Sequence, residues 1–195
     1  MQVEVLPLQG LLLLTPRVFA DERGFFMESW NQNSWNSLAC PDQQVDFVQD
    51  NHSRSSKGVL RGLHYQLPPH PQGKLVRCVA GEIFDVAVDL RRSSPTFAQW
   101  YGVHLSSENH RQLWLPPGFA HGFVTLSDQA DVLYKTTDFW NANCERSLAW
   151  DDPQIGILWP APAGAEPASL SAPVLSSKDA LAPKLADMTA EHLFA

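Results

Sequence analysis

Polar and apolar positions alternate with a period of two along most of this chain. In "EIFDVAVDL" the residues Phe84, Val86, Val88 and Leu90 fall on one face and Ile83, Asp85, Ala87 and Asp89 on the other, which is the alternation of a β-strand. The preceding "GKLVRCV" and the intervening "AG" predict that the two segments pair as a hairpin. Further short strands are expected at "GFFMESW", "FVQDNHS", "GVLRGLHY", "WYGVHLS", "RQLWLP", "HGFVTLS", "DVLYKTTDFW" and "RSLAW". Gly, Pro, Asn and Asp punctuate them at regular intervals, so an all-β sandwich or barrel follows. Only "NSWNSLA" near residue 35 and "TAEHLFA" at the end look briefly helical. After Trp159 the alternation dissolves into "PAPAGAEPASLSAP", so residues 160–195 read as a linker or a surface strap packing on one domain spanning 1–195.

Composition narrows the picture. The 195 residues, 44% hydrophobic and 18% charged, suit one filled core and exclude a disordered chain. A net charge of −7 argues against nucleic acid or an anionic membrane as a partner, since both need a broad positive field. A small anion is still admissible where a few cations converge. The start "MQVEVLPLQGLLLLTPR" has no basic n-region and a leucine run too short for a leader or a span, so a cytoplasmic protein is expected. Cys40, Cys78 and Cys144 are widely spaced without a CxxC pair and are expected to be buried reduced thiols.

Candidate chemistry centres on histidines. "PPGFAH" ends at His121 in a P-x-G-x-x-H pattern of metal-holding jelly rolls, but "RGLHYQ" supplies His64 followed by Tyr65 and Gln66 where an H-x-H and a glutamate are needed. Two histidines without a carboxylate make a poor divalent site, so no metal is expected. There is no G-x-S-x-G, Walker A loop or G-x-G-x-x-G, which sets aside those nucleophilic and nucleotide-cradling designs. With strict alternation Gln49 and Asn51 share a face, as do His64 and Gln66, whereas Arg61 lies opposite His64 unless the strand is bulged. Such groups are either solvated on an open sheet face or paired inside a barrel, because an unpaired buried polar group is costly.

Several long segments in order, "DERGFFMESW", "FVQDNHSRSSKGVLRGLHYQLPPHPQGKLVRCVAGEIFDVAVDLRRSSPTFAQW", "WLPPGFAHGFVTLSD", "VLYKTTDFWNANCERSLAWDDPQIGILWP" and "LSSKD", resemble the dTDP-4-dehydrorhamnose 3,5-epimerases. The resemblance runs from about residue 21 to about residue 185. It implies a cofactor-free, metal-independent cupin jelly roll (a double-stranded β-helix), usually a homodimer, in dTDP-rhamnose biosynthesis. Its reaction converts dTDP-4-dehydro-6-deoxy-D-glucose to dTDP-4-dehydro-L-rhamnose. A C4 ketone acidifies the C–H bonds at C3 and C5, so the chemistry needs a base, an acid across the ring and a cation near the enolate oxygen.

By that resemblance His64 is the base, suited to the role by an imidazole pKa of about 6.5. Asp179 of "LSSKD" orients it, with Asp85 as a rival partner. Tyr134 is the proton donor, its phenol having a reference pKa of about 10, and Lys74 is the cation. Read alone, Lys74 is a surface lysine and Tyr134 a strand tyrosine. The matching substrate-binding positions are Arg23, Glu28, Gln49, Asp50, Asn51, Arg61, His121, Glu145 and Lys178, arginine being suited to a diphosphate by its paired donors.

One departure stands out: the family usually carries two tyrosines after "TTD", and here Phe139 and Trp140 stand instead. Trp140 offers a larger π face for stacking on the base without a phenolic hydroxyl. The substitution leaves room for an epimerase of C3 or C5 alone on a related 4-keto sugar. From other classes, a silent sugar-nucleotide-binding cupin and a metal-dependent cupin enzyme are the alternatives. The joint presence of His64, Lys74, Tyr134 and Asp179 speaks against the first, and the missing H-x-H against the second.

Overall fold

A computed structural model describes residues 1–38, 45–162, 170 and 172–195; Cys40 lies outside these. One sheet has six strands in the order β1 (Gln2–Val5), β2 (Leu12–Thr15), β10 (Gln112–Leu115), β7 (Lys74–Ala80), β12 (Gln129–Thr136) and β5 (Gln49–Ser56). Facing it is a five-stranded sheet in the order β13 (Glu145–Ser147), β6 (Leu60–Gln66), β11 (Phe119–Thr125), β8 (Glu82–Asp89) and β9 (Trp100–Ser106). All pairings are antiparallel. This is the expected jelly roll. Among the described residues, the strands β3 (Val18–Asp21) and β4 (Gly24–Met27) pair only with each other.

The expected hairpin between "GKLVRCV" and "EIFDVAVDL" does not form. Its two segments are β7 and β8, which belong to opposite sheets. Gly81, at φ +74°, carries the chain over the corner between them, and a β-carbon there would lie 2.1 Å from the Gln129 carbonyl oxygen, so only glycine fits. Both segments feed one core: Val76 and Cys78 from β7 meet Ile83 and Ala87 from β8, with Leu105 and Leu113.

The other face of β8 is also dry. Val86, Val88 and Leu90 join Leu63, Leu148 and Trp159 in a second cluster, on which Leu175, Leu185, Met188 and Phe194 pack. A strand with both faces buried cannot be assigned to a sheet by alternation alone. On the outer side of the six-stranded sheet, helix α1 (Gln32–Leu38) sets Trp35 against Leu12, Leu14, Leu75 and Trp114. Asn31 caps it, its side-chain oxygen accepting from Asn33 N and Ser34 N. The expected helix in "TAEHLFA" is a single 3-10 turn, Ala190–His192, and a further short helix, α2 (Ser177–Ala180), appears in "LSSKDA". Cys78 and Cys144 are free and buried. No helix among the described residues is long and apolar enough to cross a membrane.

A β-bulge alters the geometry of "RGLHYQ". His121 pairs with His64, but Phe123 pairs with Arg61 rather than Gly62, so β6 holds one extra residue there. Gly62 has φ +123°, and a β-carbon on it would lie 2.5 Å from Gly122 Cα, which makes it the residue that lets the strands close up. The extra residue brings Arg61 and His64 onto one face, correcting the split expected from strict alternation.

Candidate active site

Between the sheets lies a cavity of about 430 Å³ lined by Gln49, Asn51, His64, Tyr65, Gln66, Gln72, Lys74, Tyr134, Trp140 and Glu145. Register explains why the polar residues gather. Thr136 pairs with both Gln49 and Lys74, and Tyr134 pairs with Asn51, so Gln49, Asn51, Lys74 and Tyr134 share the inner face of the six-stranded sheet. His64 and Gln66 come from β6 on the opposing sheet.

His64 Nε2 donates to Asp179 Oδ1 at 2.6 Å. The second Asp179 oxygen accepts from Ser176 Oγ at 2.8 Å, and Asp179 N donates back to Ser176 Oγ, so the cap of α2 fixes the carboxylate. Burial works to raise the Asp179 carboxyl, but the bond and charge of His64, the Ser176 bond and the Lys178 charge outweigh it and hold it below the usual range. Asp85, the rival partner, is engaged elsewhere: its Oδ1 lies 2.7 Å from His121 Nε2.

Lys74 is buried, and Nζ donates to the His64 carbonyl at 3.1 Å. Burial pushes its pKa down to about 8, while the charges of Asp85 and Glu145 oppose the shift. Lys74 is therefore no surface lysine. Burial also pushes the Tyr134 phenol up, with the Arg61 charge acting in the opposite sense. Glu145 pairs with Lys178 at 2.8 Å. Burial acts to raise its carboxyl, but the Lys178 bond and charge, the His64 charge and a bond from the Trp140 indole bring it below the usual range.

The remaining expected site residues divide into two groups. Arg61, placed on the same strand face as His64 by the bulge, is exposed and donates to Ser55 Oγ at 2.8 Å, and neither it nor His121 is among the residues lining the cavity. His121 stands beside His64 across the β6–β11 pairing and is buried. Arg23, Glu28 and Asp50 do not reach the cavity of their own chain. Arg23 sits at the tip of the β3–β4 hairpin against Asp21, with a side chain 84% exposed. Glu28 follows that hairpin and accepts from Asn31. Asp50 alternates with Gln49 and Asn51, so it faces outward and pairs with Lys135 at 3.1 Å.

The structure adds Gln72 and gives Gln66 a position that sequence reading left without a role. Neither carries a spacing signal, because Gln72 sits in the turn before β7 and reaches the cavity only once β6 and β7 are in place. Ser176, which holds Asp179, was legible only as one of two serines before "KD". Among the described residues no three His, Cys, Asp or Glu side chains gather closely enough to hold a metal ion.

Comparisons with known proteins agree with this geometry. The family model described as dTDP-4-dehydrorhamnose 3,5-epimerase matches residues 5–187. A protein of that name from Shigella flexneri is 56% identical over 177 residues, 91% of this chain and 92% of the relative. Another from Pseudomonas aeruginosa is 55% identical over 187 residues, 96% of this chain and 97% of the relative. Among solved structures, the Legionella pneumophila dTDP-6-deoxy-D-glucose-3,5-epimerase in complex with dTDP-4-keto-L-rhamnose superposes with a TM-score of 0.90 at 48% identity, covering 99% of this chain and 97% of that one. With near-complete coverage in both directions, this chain belongs to the dTDP-4-dehydrorhamnose 3,5-epimerase family.

Proposed function

We propose that the chain is an isomerase that inverts C3 and C5 of dTDP-4-dehydro-6-deoxy-D-glucose to give dTDP-4-dehydro-L-rhamnose, in cytoplasmic dTDP-rhamnose biosynthesis. One observation carries the reading: His64 and Tyr134 stand on opposing sheets across a single cavity, with a buried lysine between the same walls. Inversion requires a proton to leave one ring face and return on the other, and two walls meet that need.

With its Nε2–H held by Asp179, His64 presents Nδ1 as the free lone pair. It takes a proton from the carbon beside the ketone, and the C–H electrons move into the enolate. The Asp179 carboxylate stabilises the resulting imidazolium. Lys74, charged below about pH 8, supplies positive charge near the developing oxyanion in a dry site. Tyr134, which burial keeps protonated, gives its proton to the opposite face. Solvent then returns a proton to the phenolate and removes one from the imidazolium, so no net proton is consumed. Arg61 and Lys178 supply cations suited to a diphosphate.

A homodimer completes the proposal. Phe19, Phe25 and Phe26 lie exposed on the hairpin that carries Arg23, and among the described residues no strand lies beside the outer edge of β5. A second copy laid there would cover both and bring Arg23 and Glu28 toward a cavity other than their own.

Incubating the protein with the keto sugar nucleotide in D2O and locating deuterium by NMR tests the activity. Label at C3 and C5, unaffected by EDTA, is expected; label at one carbon points to a single-centre epimerase, and no label sinks catalysis on this substrate. Mixing inactive Arg23→Ala and His64→Ala proteins tests the dimer, since heterodimers regain an intact site only if Arg23 acts in its partner.

A further inference from the structure

The segment 138–141, which forms the aromatic wall of the cavity mouth, lies in no strand or helix. Its backbone is nevertheless tied at every residue. The Asp138 carbonyl accepts from Gln72 Nε2 and Thr136 Oγ1, both at 2.8 Å. Phe139 N donates to the Asp138 side chain at 2.7 Å, and the Phe139 carbonyl accepts from Gln66 Nε2 at 3.2 Å. Trp140 N donates to Gln49 Oε1 at 3.0 Å, and Asn141 N to Gln66 Oε1 at 2.8 Å.

Two further ties brace these anchors. His70 Nδ1 lies 3.1 Å from Asp138 Oδ2, and Gln66 Nε2 also reaches the His70 carbonyl at 2.8 Å. Trp140 itself stays 59% exposed on this immobilised backbone. A free aromatic face on a segment whose backbone is already immobilised is a preorganised stacking surface: the ordering entropy is spent on folding, before a ligand arrives.

We propose that Gln66, Gln72 and His70 are positioning residues for nucleotide recognition, clamping the 138–141 segment so that Trp140 presents a fixed face to the nucleobase. The proposal rests on the nucleotide-sugar reading above. It separates these residues from the chemistry: they act on how tightly the nucleoside diphosphate is held. A merely structural amide would change stability while leaving affinity alone.

Titrating dTDP into wild type and variants by calorimetry tests this without requiring turnover. Gln72→Met, which deletes the bond to the Asp138 carbonyl, is expected to raise Kd for dTDP about tenfold, and Gln66→Met by at least as much. KM for the sugar nucleotide should rise in step, with kcat falling less than about threefold. His70→Ala should weaken binding about threefold, and His70→Gln, whose amide can still donate to Asp138, should recover most of that loss. In a Trp140→Ala background Gln72→Met should change dTDP affinity no further, because the wall it positions is gone.

Kd values in Gln72→Met and His70→Ala within twofold of wild type, or full additivity with Trp140→Ala, would overturn the clamp. If Gln66→Met does not fold, those two variants still decide the matter. Failure of the wild type to bind dTDP would instead bring down the nucleotide-sugar reading.

Discussion

Two His–Asp pairs sit side by side on paired strands, and they differ in almost everything except their hydrogen bond. His64–Asp179 and His121–Asp85 have nearly equal N···O distances, 2.6 and 2.7 Å, and His64 and His121 are direct cross-strand neighbours. The His64 side chain is 29% exposed toward the cavity, and Asp179 has its second oxygen satisfied by Ser176. The His121 side chain is 8% exposed, Asp85 is fully buried, and Asp85 Oδ2 has no hydrogen-bond partner among the described residues. Under the proposed function, the pair that opens on the cavity acts as the reagent and the sealed pair braces the strands beside it. Access and the treatment of the second carboxylate oxygen make the difference.

The largest effect should come from His64→Ala, which is expected to lower kcat by about a thousandfold or more and abolish deuterium exchange at both carbons. Retained exchange would move the base elsewhere, with His121 the first place to look. Tyr134→Phe separates the two half-reactions. It should cut net inversion about a hundredfold while leaving exchange of the first proton much less affected, as read by comparing label uptake with product formation. Equal loss of both would mean that Tyr134 does not act as the acid on the far wall.

Stability should sort the two pairs in the reverse order. His121→Ala leaves a fully buried carboxylate unpaired and should cost about 3 kcal/mol in chemical denaturation. His64→Ala leaves Asp179 with Ser176 beside an open cavity and should cost about 1 kcal/mol. Equal losses would erase the distinction between reagent and tie.

The smallest effect is a slope in pH. Burial lowers Lys74 from 10.5 to about 8, so between those values the unfolded chain holds more protons on this residue than the folded one. Its contribution to stability therefore rises with pH across that window, while activity that needs the ammonium falls above about pH 8. Measured as the difference between wild type and Lys74→Met, the wild type should gain up to about 1 kcal/mol per pH unit above pH 8. A flat difference would mean that Lys74 keeps its proton above pH 8 in the folded site and that burial does not lower its pKa.

Much of the strand set was legible because half-buried strands impose alternation on their residues. Trp100–Ser106 and Gln129–Thr136 fall within or overlap the segments expected from it. β8 shows where that signal fails: each face of an alternating strand packed on both sides looks like a core, and nothing local says which sheet it joins. Asp50 was legible in principle, since the "QDN" alternation already set it opposite Gln49 and Asn51. Arg61 was not, because one inserted residue at Gly62 reverses the parity of everything on one side of it. The choice between Asp179 and Asp85 as partner of His64 also lay beyond local pattern, because 115 residues separate His64 from Asp179.

The sequence by itself determined the all-β character and, through resemblance, the family together with the base, acid and cation expected of it. Those features are written in side-chain type and short-range period, which a linear chain carries in full. Only the tertiary structure decided which histidine is open and which is sealed, which carboxylate serves each, and that Arg23, Glu28 and Asp50 point away from their own cavity. These are matters of burial and facing direction, set by how the sheets close on each other and by a bulge that no local residue pattern counts.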